Sequence, residues 1–593
     1  MPPSIVHILL QSAERHPDKP ALLYRREGSY EPISYRQLVD RIEDLTHGLA
    51  ALGIQPGDRV GILSYNRPEW PMADFAILAL RAVTVPIYHT LPANQIAYIL
   101  RDAGVKALFV ENQAQADKVE EVRAGCPDLA QVISFTPVSP PGRVTSFETL
   151  LERGREHRRL DEGFFRRSVE AIDPTALCSL VYTSGTTGEP KGVMLNHRGF
   201  VRDVVSSEEI FRLLPEDVFL SFLPLSHLYE RVGGHWCPLY RGCTIAYAED
   251  VSTVARDLQI VRPTVMVSVP RVYEKLREKV LARAESGSPL ARALFHQAMR
   301  DGLRYHDLKQ EGRRDPWVSA RYWLADRLVL RRVRQVLGGR FRFPIAGGAP
   351  LSVHTLRFFR ALGLDVVEGY GMTETHLIVT LTQGGETRHG SCGRPIPGVE
   401  VRLAEDGEVL VRGETVMAGY YHKEELTRET IDAAGWLHTG DIGRFDEDGY
   451  LYITDRKKNL IITAGGKNVA PAPIENALKA SAYIEEICLV GDGRKFIAAV
   501  VVPAYDEAVR WAEAQGLGTL DRPALAACPA LHERVMEDIH RLQADFAGFE
   551  QVKKCRLLAE PFSVERGELT PTLKVKRRVI EERYRGEIDS LYS

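Results

Sequence analysis

The sequence YTSGTTGEPKG, Tyr182 to Gly192, is the stretch from which the fold is interpreted. It follows an apolar run, Ala176 to Val181, whose length and composition are typical of a buried strand. Its next residues are small or carry a hydroxyl group: Thr183, Ser184, Gly185, Thr186, Thr187 and Gly188. Glycines let the backbone approach a bulky anion, N–H and hydroxyl groups donate to phosphate oxygens, and Lys191 adds a positive charge. The stretch therefore predicts a phosphate-binding loop, with a plain surface hairpin as the alternative.

The spacing of this loop differs from that of the Walker phosphate loop. Pro190 stands where that pattern needs the glycine before its lysine, and no Ser or Thr follows Lys191. The residues Val193 to Leu195 are too few and too β-branched to predict the helix that a Walker loop opens. A Walker-type site is therefore not expected.

Size and composition set the broad class of the protein. A chain of 593 residues exceeds what one hydrophobic core holds, so several lobes are expected. With 44% hydrophobic and 26% charged residues, it has the composition of a soluble globular protein. The net charge of -3 gives no reason to expect nucleic-acid binding. Eight cysteines without metal-ligand spacing fit small core residues in a reducing cytoplasm.

The N-terminal segment MPPSIVHILLQSAERHPDKP predicts an amphipathic helix and no signal peptide, because it lacks a basic leader and a small-residue cleavage site. The best apolar stretch, Phe75 to Ile87, is interrupted by Arg81 and Pro86, so no membrane span is expected. We therefore expect a cytoplasmic protein, with peripheral contact at the inner face of a membrane left open.

Short β-rich runs alternate with helical patterns along most of the chain, which predicts parallel sheets covered on both faces. The predicted fold class is α/β: a large N-terminal domain, residues 1–455, with two doubly wound subdomains and a small β-rich subdomain from Gly398 to Gly443. A small mobile α+β domain, residues 456–593, follows the charged junction at Asp455 to Lys458. One of the predicted strands is Asp365 to Val367.

Residues 271–340 carry helical periodicity without a good strand and are predicted to be a helical insertion. In the third predicted helix, Pro316 to Leu337, arginines interleave with large apolar residues: Arg321, Arg327, Arg331, Arg332 and Arg334 with Trp323, Leu324, Leu328, Val329, Val333 and Val336. A basic amphipathic helix can lie on an anionic membrane. A packed helix with a solvated arginine face is the interpretation we favour.

The loop at Tyr182 resembles the phosphate loop of the acyl-adenylate-forming enzymes, which include acyl-CoA synthetases, luciferases and peptide-synthetase adenylation domains. Further strings continue the resemblance in order to about Arg578: GGAP at Gly347, EGYGMTE at Glu368, TGD at Thr439, DRKKNLIITAGGKNV at Asp455 and GELTPTLKVKR at Gly567. FLPLSHLYER at Phe222, VPRVYEKL at Val269 and the helical insertion resemble the long-chain fatty acyl-CoA synthetase branch.

The resemblance implies a two-step ligase that joins a fatty acid to CoA with ATP and Mg²⁺. Such a site must neutralise triphosphate charge and hold a carboxylate in line with the α-phosphorus. By resemblance, Glu374 binds Mg²⁺, Thr373 donates to the α-phosphate and Lys574 is the catalytic cation. The implied adenine contacts are Gly348, Ala349, Glu368, Gly369, Tyr370 and Gly371; the ribose contacts are Asp441 and Arg456. His227 would lie near the carboxylate, Lys458 at the hinge, and Gly465 and Gly466 along the pantetheine tunnel.

Each of these assignments has a simpler alternative. Thr373 and Glu374 could cap a helix, Tyr370 could be a core residue, and Asp441 could form an Asx turn. His227 could cap a helix or lie in the core, and Lys574 could be a solvated tail residue. This chain also departs from the family pattern, because it has Thr-Leu where many relatives carry Ser-Gly before the lysine.

Other functions and assemblies remain open at this stage. A fatty acyl-AMP ligase would deliver the acyl group to a carrier protein; such enzymes typically carry an insertion that hinders domain rotation, and none is evident near Glu475 to Ile487. A luciferase-like oxidative enzyme and a non-catalytic nucleotide-binding scaffold are further alternatives. The protein is expected to be a monomer or a homodimer.

Overall fold

The computed structural model describes residues 1–139, 144–184, 189–383, 388, 390–563, 565–569 and 575–592. The chain divides into two compact units: a large unit, Met1–Val401 with Val411–His438, and a small unit, Arg402–Leu410 with Thr439–Ser593. The boundary expected between residues 455 and 456 stays a prediction.

The strands are β1 (Pro20–Arg26), β2 (Ser29–Ser34), β3 (Arg59–Leu63), β4 (Val83–Ile87), β5 (Val105–Val110), β6 (Gln131–Ser134), β7 (Thr145–Ser146), β8 (Leu177–Ser184), β9 (Pro190–Asn196), β10 (Val218–Ser221), β11 (Thr244–Tyr247), β12 (Val265–Ser268), β13 (Phe343–Ala346), β14 (Val367–Tyr370), β15 (Thr380–Leu381), β16 (Arg394–Pro395), β17 (Val399–Leu403), β18 (Glu408–Gly413), β19 (Gly419–Tyr420), β20 (Leu437–Phe445), β21 (Leu451–Arg456), β22 (Ile461–Ile462), β23 (Asn468–Val469), β24 (Ile484–Val490), β25 (Ile497–Pro503) and β26 (Val552–Leu557).

The α-helices are α1 (Ile5–Arg15), α2 (Tyr35–Ala51), α3 (Glu69–Ala79), α4 (Ala93–Asp102), α5 (Gln113–Arg123), α6 (Phe147–Leu160), α7 (Phe164–Glu170), α8 (His197–Phe211), α9 (Cys237–Tyr240), α10 (Val254–Val261), α11 (Pro270–Glu285), α12 (Pro289–Gln310), α13 (Pro316–Ala325), α14 (Arg331–Val336), α15 (Val353–Ala361), α16 (Glu424–Thr430), α17 (Pro471–Leu478), α18 (Tyr505–Ala514), α19 (Arg522–Ala526), α20 (Pro529–Leu542), α21 (Arg577–Arg583) and α22 (Arg585–Ser590). Two π-helical stretches, Tyr229–Trp236 and Asp326–Leu330, and three short 3₁₀ turns complete the list.

Two large sheets form the framework of the large unit. One has the order β19-β9-β8-β4-β3-β5-β6-β7 and the other β16-β15-β14-β13-β12-β10-β11-β1-β2. The central strands pair in parallel and are largely buried, as expected where helices cover both faces. The predicted α/β class is confirmed.

Two details of the sheets differ from the predictions. The strand expected at Asp365 to Val367 begins only at Val367 and runs to Tyr370, because Gly369 and Tyr370 pair with Leu381 and Thr380 of β15. Strands β1 and β2 lie at the edge of the second sheet, where β1 pairs with β11, whereas the next strands, β3 to β6, belong to the first sheet; the alternation along the sequence does not show this division. Both differences come from long-range pairing that local patterns do not contain.

The helical insertion is confirmed. Residues 271–340, all of which the structure describes, contain helices and no strand. In the second sheet, the chain passes from β10 through the first π-helical stretch and α9 to its neighbour β11, which is a step towards β1. The later steps, from β11 to β12, β13 and β14, cross the sheet in the opposite direction. Parallel crossovers are right-handed, so connections that run in opposite directions lie on opposite faces. The insertion and α15 therefore lie on the face opposite to the Tyr229–Trp236 stretch.

The small unit has a sheet with the order β24-β25-β26, and a four-stranded sheet β17-β18-β20-β21 precedes it in the chain. Every residue of β25 is buried. Because side chains alternate across a strand, Ile497, Ala499 and Val501 enter one core cluster and Ala498, Val500 and Val502 enter the other.

The N-terminal segment forms the predicted helix, α1, capped by Ser4. Among the described residues, no helix is both long and apolar enough to cross a membrane.

Candidate active site

Most of the candidate residues of the large unit follow the carboxyl ends of parallel strands, the edge where open α/β sheets bind ligands. His227 follows β10, Gly348 and Ala349 follow β13, and Thr373 and Glu374 follow β14. Gly348 and Ala349 are exposed, and Gly348 has a φ of +80°, a conformation that favours glycine. The topology thus gathers segments that are far apart in the sequence.

The predicted phosphate loop connects two antiparallel strands, so a hairpin forms its base. Thr183 pairs with Lys191, and β8 extends to Ser184, three residues beyond the predicted end. The Tyr182 hydroxyl donates to the Asp102 carboxylate at 2.5 Å, and the Tyr98 hydroxyl donates to the Pro190 carbonyl at 3.1 Å. Two phenols thus fix the hairpin base to α4. The candidates Gly185, Thr186, Thr187 and Gly188 lie outside the described residues, as does the Ser184 side chain.

Tyr420 connects the hairpin to the proposed metal ligand. Its strand β19 pairs with β9, which places Tyr420 opposite Val193. The Lys191 ammonium lies 5.1 Å from the centre of the Tyr420 ring, and the Tyr420 hydroxyl donates to Glu374 Oε1 at 2.9 Å. Burial and the Glu374 carboxylate raise the pKa of Tyr420, so the phenol remains a donor. Lys191 and Glu374, both candidates from the sequence, are therefore joined by a residue that the motifs did not indicate.

His376 fixes the turn that carries Thr373 and Glu374. Its Nε2 accepts from the Asn196 N–H at 3.0 Å and its Nδ1 donates to the Thr415 carbonyl at 2.6 Å. Both bonds form only when the ring is neutral and protonated at Nδ1. Burial lowers the pKa of His376 to about 4, so the ring is neutral at pH 7. Its backbone has a φ of +59°, an uncommon conformation outside glycine.

Two buried acids lie in this part of the large unit. Burial raises the pKa of Glu368 to about 8, and Glu368 Oε1 accepts from the Leu351 N–H at 3.4 Å. Burial also raises the pKa of Glu230 to about 8, and neither of its carboxyl oxygens makes a well-formed hydrogen bond to a described residue. Both acids are therefore largely protonated at neutral pH.

Tyr229 bridges the ends of two strands beside the GGAP segment. Its hydroxyl donates to the carbonyl groups of Ser268 and Ile345 at 3.1 and 3.2 Å. A Cβ atom at Gly347 would lie only 2.9 Å from the Tyr229 ring, so the first glycine of GGAP is needed for this contact. Tyr370 is half-buried and is the last residue of β14.

His227 accepts a hydrogen bond on Nδ1 from the Tyr229 N–H at 3.0 Å, which is the capping contact considered above. Four residues later, Arg231 is fully buried and its Nε donates to Asp74 of α3 at 2.9 Å. Arg231 also donates to the Ser179 hydroxyl of β8 at 2.8 Å. The segment after β10 is thereby tied to the sheet that carries the hairpin.

In the small unit, the structure brings the two ribose candidates together. Asp441 of β20 pairs with Arg456 of β21, and Arg456 Nε lies 3.0 Å from Asp441 Oδ1. Asp441 is buried in a strand, not in a turn, whereas Arg456 is more than half exposed. Lys458 lies in the exposed 3₁₀ turn that follows β21.

Gly465 and Gly466 form the exposed turn between β22 and β23. Gly466 has a φ of +71°, and no atom lies within 4 Å of a Cβ built there. Lys574 lies outside the described residues. The residues that flank its segment, Leu569 and Val575, are paired with each other. Arg577 anchors the next helix through an ion pair with Glu475 at 2.7 Å.

Motif reasoning missed Tyr420, His376 and Tyr229. His376 follows Glu374 by two residues and Tyr229 lies inside FLPLSHLYER, so proximity to a motif could have indicated both. Nothing in the local sequence indicates Tyr420, because its position depends on the pairing of β19 with β9.

Solved structures share this fold. An ATP-bound MatB from Rhodopseudomonas palustris superposes with a TM-score of 0.71 at 23% identity, with 100% of both chains covered. The adenylation domain of a carboxylate reductase from Mycobacterium chelonae gives a TM-score of 0.76 at 24% identity, covering 99% of this chain and 91% of that one. The chain therefore has the same fold as these two proteins.

Sequence comparison gives the family. The model of the AMP-binding enzymes matches residues 9–421, and that of the AMP-binding enzyme C-terminal domain matches residues 458–593. The long-chain-fatty-acid–CoA ligase FadD15 of Mycobacterium tuberculosis is 35% identical over 97% of this chain and 95% of its own length. The peroxisomal long chain acyl-CoA synthetase 7 of Arabidopsis thaliana is 32% identical over 95% of this chain and 82% of its own. The chain belongs to the AMP-binding enzyme family, which confirms the resemblance found in the sequence.

Proposed function

We propose that this protein is a long-chain fatty acid–CoA ligase: ATP and a fatty acid give acyl-adenylate and pyrophosphate, and CoA then displaces AMP to give acyl-CoA. The observation that carries the proposal is the match, over nearly the whole chain, to relatives named long-chain-fatty-acid–CoA ligases. The match spans both units, as a two-step reaction with a mobile second domain requires.

The candidate residues of the large unit are proposed to bind the nucleotide. Phosphate oxygens would lie at the hairpin loop and at Thr373, and adenine against Tyr370. Glu374 fits a Mg²⁺ ligand, because Tyr420 holds one of its oxygens in place and Mg²⁺ is usually held by one or two carboxylates together with substrate phosphates. Mg²⁺ would offset the repulsion between the triphosphate and the attacking carboxylate. Lys191, whose ammonium group lies 5.1 Å from the centre of the Tyr420 ring, would add a positive charge for the phosphates.

The small unit is proposed to supply the other polar contacts. Asp441 would accept hydrogen bonds from the ribose hydroxyls, with Arg456 orienting its carboxylate. Lys574 would stabilise the charge that develops on the bridging oxygen during adenylation. Rotation about Lys458 would then bring Gly465 and Gly466 to the pantetheine, since a site closed against water cannot also admit a thiol.

The test follows AMP and pyrophosphate release from palmitate with and without CoA. We expect pyrophosphate release on mixing and sustained AMP release only with CoA. If a carrier protein, but not CoA, accepts the acyl group and thereby releases AMP, the result would instead support the fatty acyl-AMP ligase. The connection from α17 to β24 has only five residues, 479–483, so the insertion expected of that class is not found there.

Two variants separate the half-reactions. Lys574→Ala should reduce adenylation at least a hundredfold and spare the reaction of supplied acyl-adenylate with CoA. Gly466→Leu should do the reverse, since a branched side chain at a positive φ both strains the turn and narrows the tunnel. Equal losses in both half-reactions for either variant would contradict this division.

We further propose peripheral membrane contact through the helical insertion. Trp317 and Trp323 are 80% and 63% exposed. Leu328 is also exposed, and the Arg327 guanidinium lies 5.8 Å from the centre of the Trp323 ring. Exposed tryptophans beside arginines suit the interface of an anionic bilayer. Trp317→Ser/Trp323→Ser should lower sedimentation with phosphatidylglycerol vesicles several-fold, whereas Phe549→Ser in the small unit should not. Equal sedimentation of all three proteins would refute the contact.

A further inference from the structure

A cavity of about 330 Å³ opens among α11, α12 and α15, in and beside the helical insertion. Phe295 and Phe358, both buried, form its floor, and Leu281 and Met299 form its walls. Its volume falls at the small end of the range of about 300–1,000 Å³ found for small-molecule sites. The size and the apolar lining fit one flexible hydrocarbon chain.

The rim of this cavity is positively charged. Arg277, Arg300 and Arg357 line it together with two histidines, and no Asp or Glu does among the residues that the structure describes. His354 lines the cavity together with Arg277 and Arg357, and burial followed by the charges of these two arginines lowers the pKa of His354.

The arginines of the rim differ from other arginines nearby. Arg292, Arg321 and Arg360 are each paired with an acidic residue, Glu285, Asp301 and Asp307 respectively. Arg277 and Arg357 have no acidic partner within the described part of the chain. Two unpaired guanidinium groups above an apolar cavity are complementary to an anionic head on a hydrocarbon chain.

The cavity is separated from the segment of the candidate active site that carries His227 and Tyr229. The segment with His227 and Tyr229 lies in the connection from β10 to β11, whereas α11, α12 and α15 belong to the connections that run in the opposite direction along the sheet. Because these connections cover opposite faces, the sheet separates the cavity from that segment.

We propose that this cavity is a second binding site for a free long-chain fatty acid, with the hydrocarbon chain between Phe295 and Phe358 and the carboxylate between Arg277 and Arg357. A single-chain occupant fits the volume, whereas a diacyl lipid would need a larger site. The site binds without ATP and would exist whether or not the protein is a ligase.

The test counts bound fatty acid on the full chain without ATP or CoA, by equilibrium dialysis with carboxyl-labelled palmitate below its micelle concentration. We expect two palmitates per wild-type chain. Arg277→Glu/Arg357→Glu should bind one, with the affinity at the second site at least tenfold weaker, and Met299→Trp should likewise bind one by filling the cavity. Arg313→Glu/Arg314→Glu, exposed residues of the same insertion, is the matched control and should bind two.

Each outcome bears on the proposal. If the wild-type chain binds one palmitate and both cavity variants bind none, the result supports the cavity site and counts against palmitate binding at the proposed acyl site. Ligase activity measured on the same samples then shows whether the proposed function fails independently of the cavity site. Unchanged stoichiometry in both cavity variants overturns the proposal. The proposal is also overturned if the protein binds phosphatidylglycerol vesicles through Arg277 and Arg357 but does not bind monomeric palmitate. That result would mean that the rim of the cavity contacts a bilayer.

Discussion

Replacing Asp74 by alanine should lower the free energy of unfolding of the large unit by about 3–5 kcal/mol, the usual cost of leaving one charge of a buried pair without its partner. Both side chains are about 1% exposed, so water cannot take the place of the carboxylate. The Arg231 Nε to Asp74 Oδ2 distance is 2.9 Å, and Asp74 also accepts from the Thr84 hydroxyl at 2.8 Å. The hydrogen bond to Ser179 and the cation–π contacts with Trp70 and Trp236 would remain, but none of them supplies a negative charge.

Urea unfolding followed by tryptophan fluorescence measures this loss. The signal is local, because the Arg231 guanidinium carbon lies 5.7 Å from the Trp70 ring and 4.6 Å from the Trp236 ring. The double variant Asp74→Ala/Arg231→Met should be more stable than the sum of the single losses predicts, since it leaves no buried charge. Arg166→Ala, which removes an exposed pair with Glu170, should cost less than about 0.5 kcal/mol. A loss below about 1 kcal/mol for Asp74→Ala would refute the reasoning.

Three further predictions concern the turn after β14. Tyr420→Phe removes a hydrogen bond to a carboxylate worth about 1.5–3 kcal/mol, so pyrophosphate release should need at least tenfold more Mg²⁺; an unchanged Mg²⁺ dependence would contradict the role of this phenol. Folding lowers the pKa of His376 from 6.5 to about 4, so between these pH values the unfolded chain binds more protons than the folded protein. The free energy of unfolding should therefore fall by about 3 kcal/mol as the pH drops from 6.5 towards 4. Urea midpoints of wild type and His376→Gln should diverge in slope over this range, and parallel curves would count against it. In Gly371→Ala the new Cβ would lie 1.5 Å from the Leu377 carbonyl oxygen, so adenylation should fall by more than tenfold. Gly465→Ala should adenylate normally, because its Cβ would meet only the Thr463 hydroxyl, at 4.0 Å. Full activity of Gly371→Ala would show that the turn can shift.

The sequence predicted the features that local patterns determine. The apolar run before Tyr182 and the glycine-rich string after it indicated the hairpin strand, and the 3.6-residue periodicity of 271–340 indicated the insertion. The motifs indicated that Lys191 and Glu374 belong to one site. They could not indicate Tyr420 between them, because that contact depends on the register of the two-residue strand β19, in which Tyr420 lies opposite Val193, 227 residues earlier in the chain.

Burial and charge balance were also beyond the sequence. Asp74 and Arg231 are 157 residues apart, and neither lies in a pattern that requires an ion pair. The acid Glu230 resembles any charged residue of a surface helix until its surroundings are known, yet it is buried with a pKa raised to about 8. Properties of this kind arise only when distant elements pack together.

The position of residues 271–340 on one face of the second sheet has an evolutionary consequence. Lengthening, shortening or exchanging these helices leaves the hairpin and the turn after β14 untouched, so this face can acquire new ligands or attachment points while the reaction is preserved. If residues 271–340 are replaced by the matching segment of a relative, the chimaera should keep the catalytic activity of this protein. Its binding of fatty acids and membranes should become that of the relative.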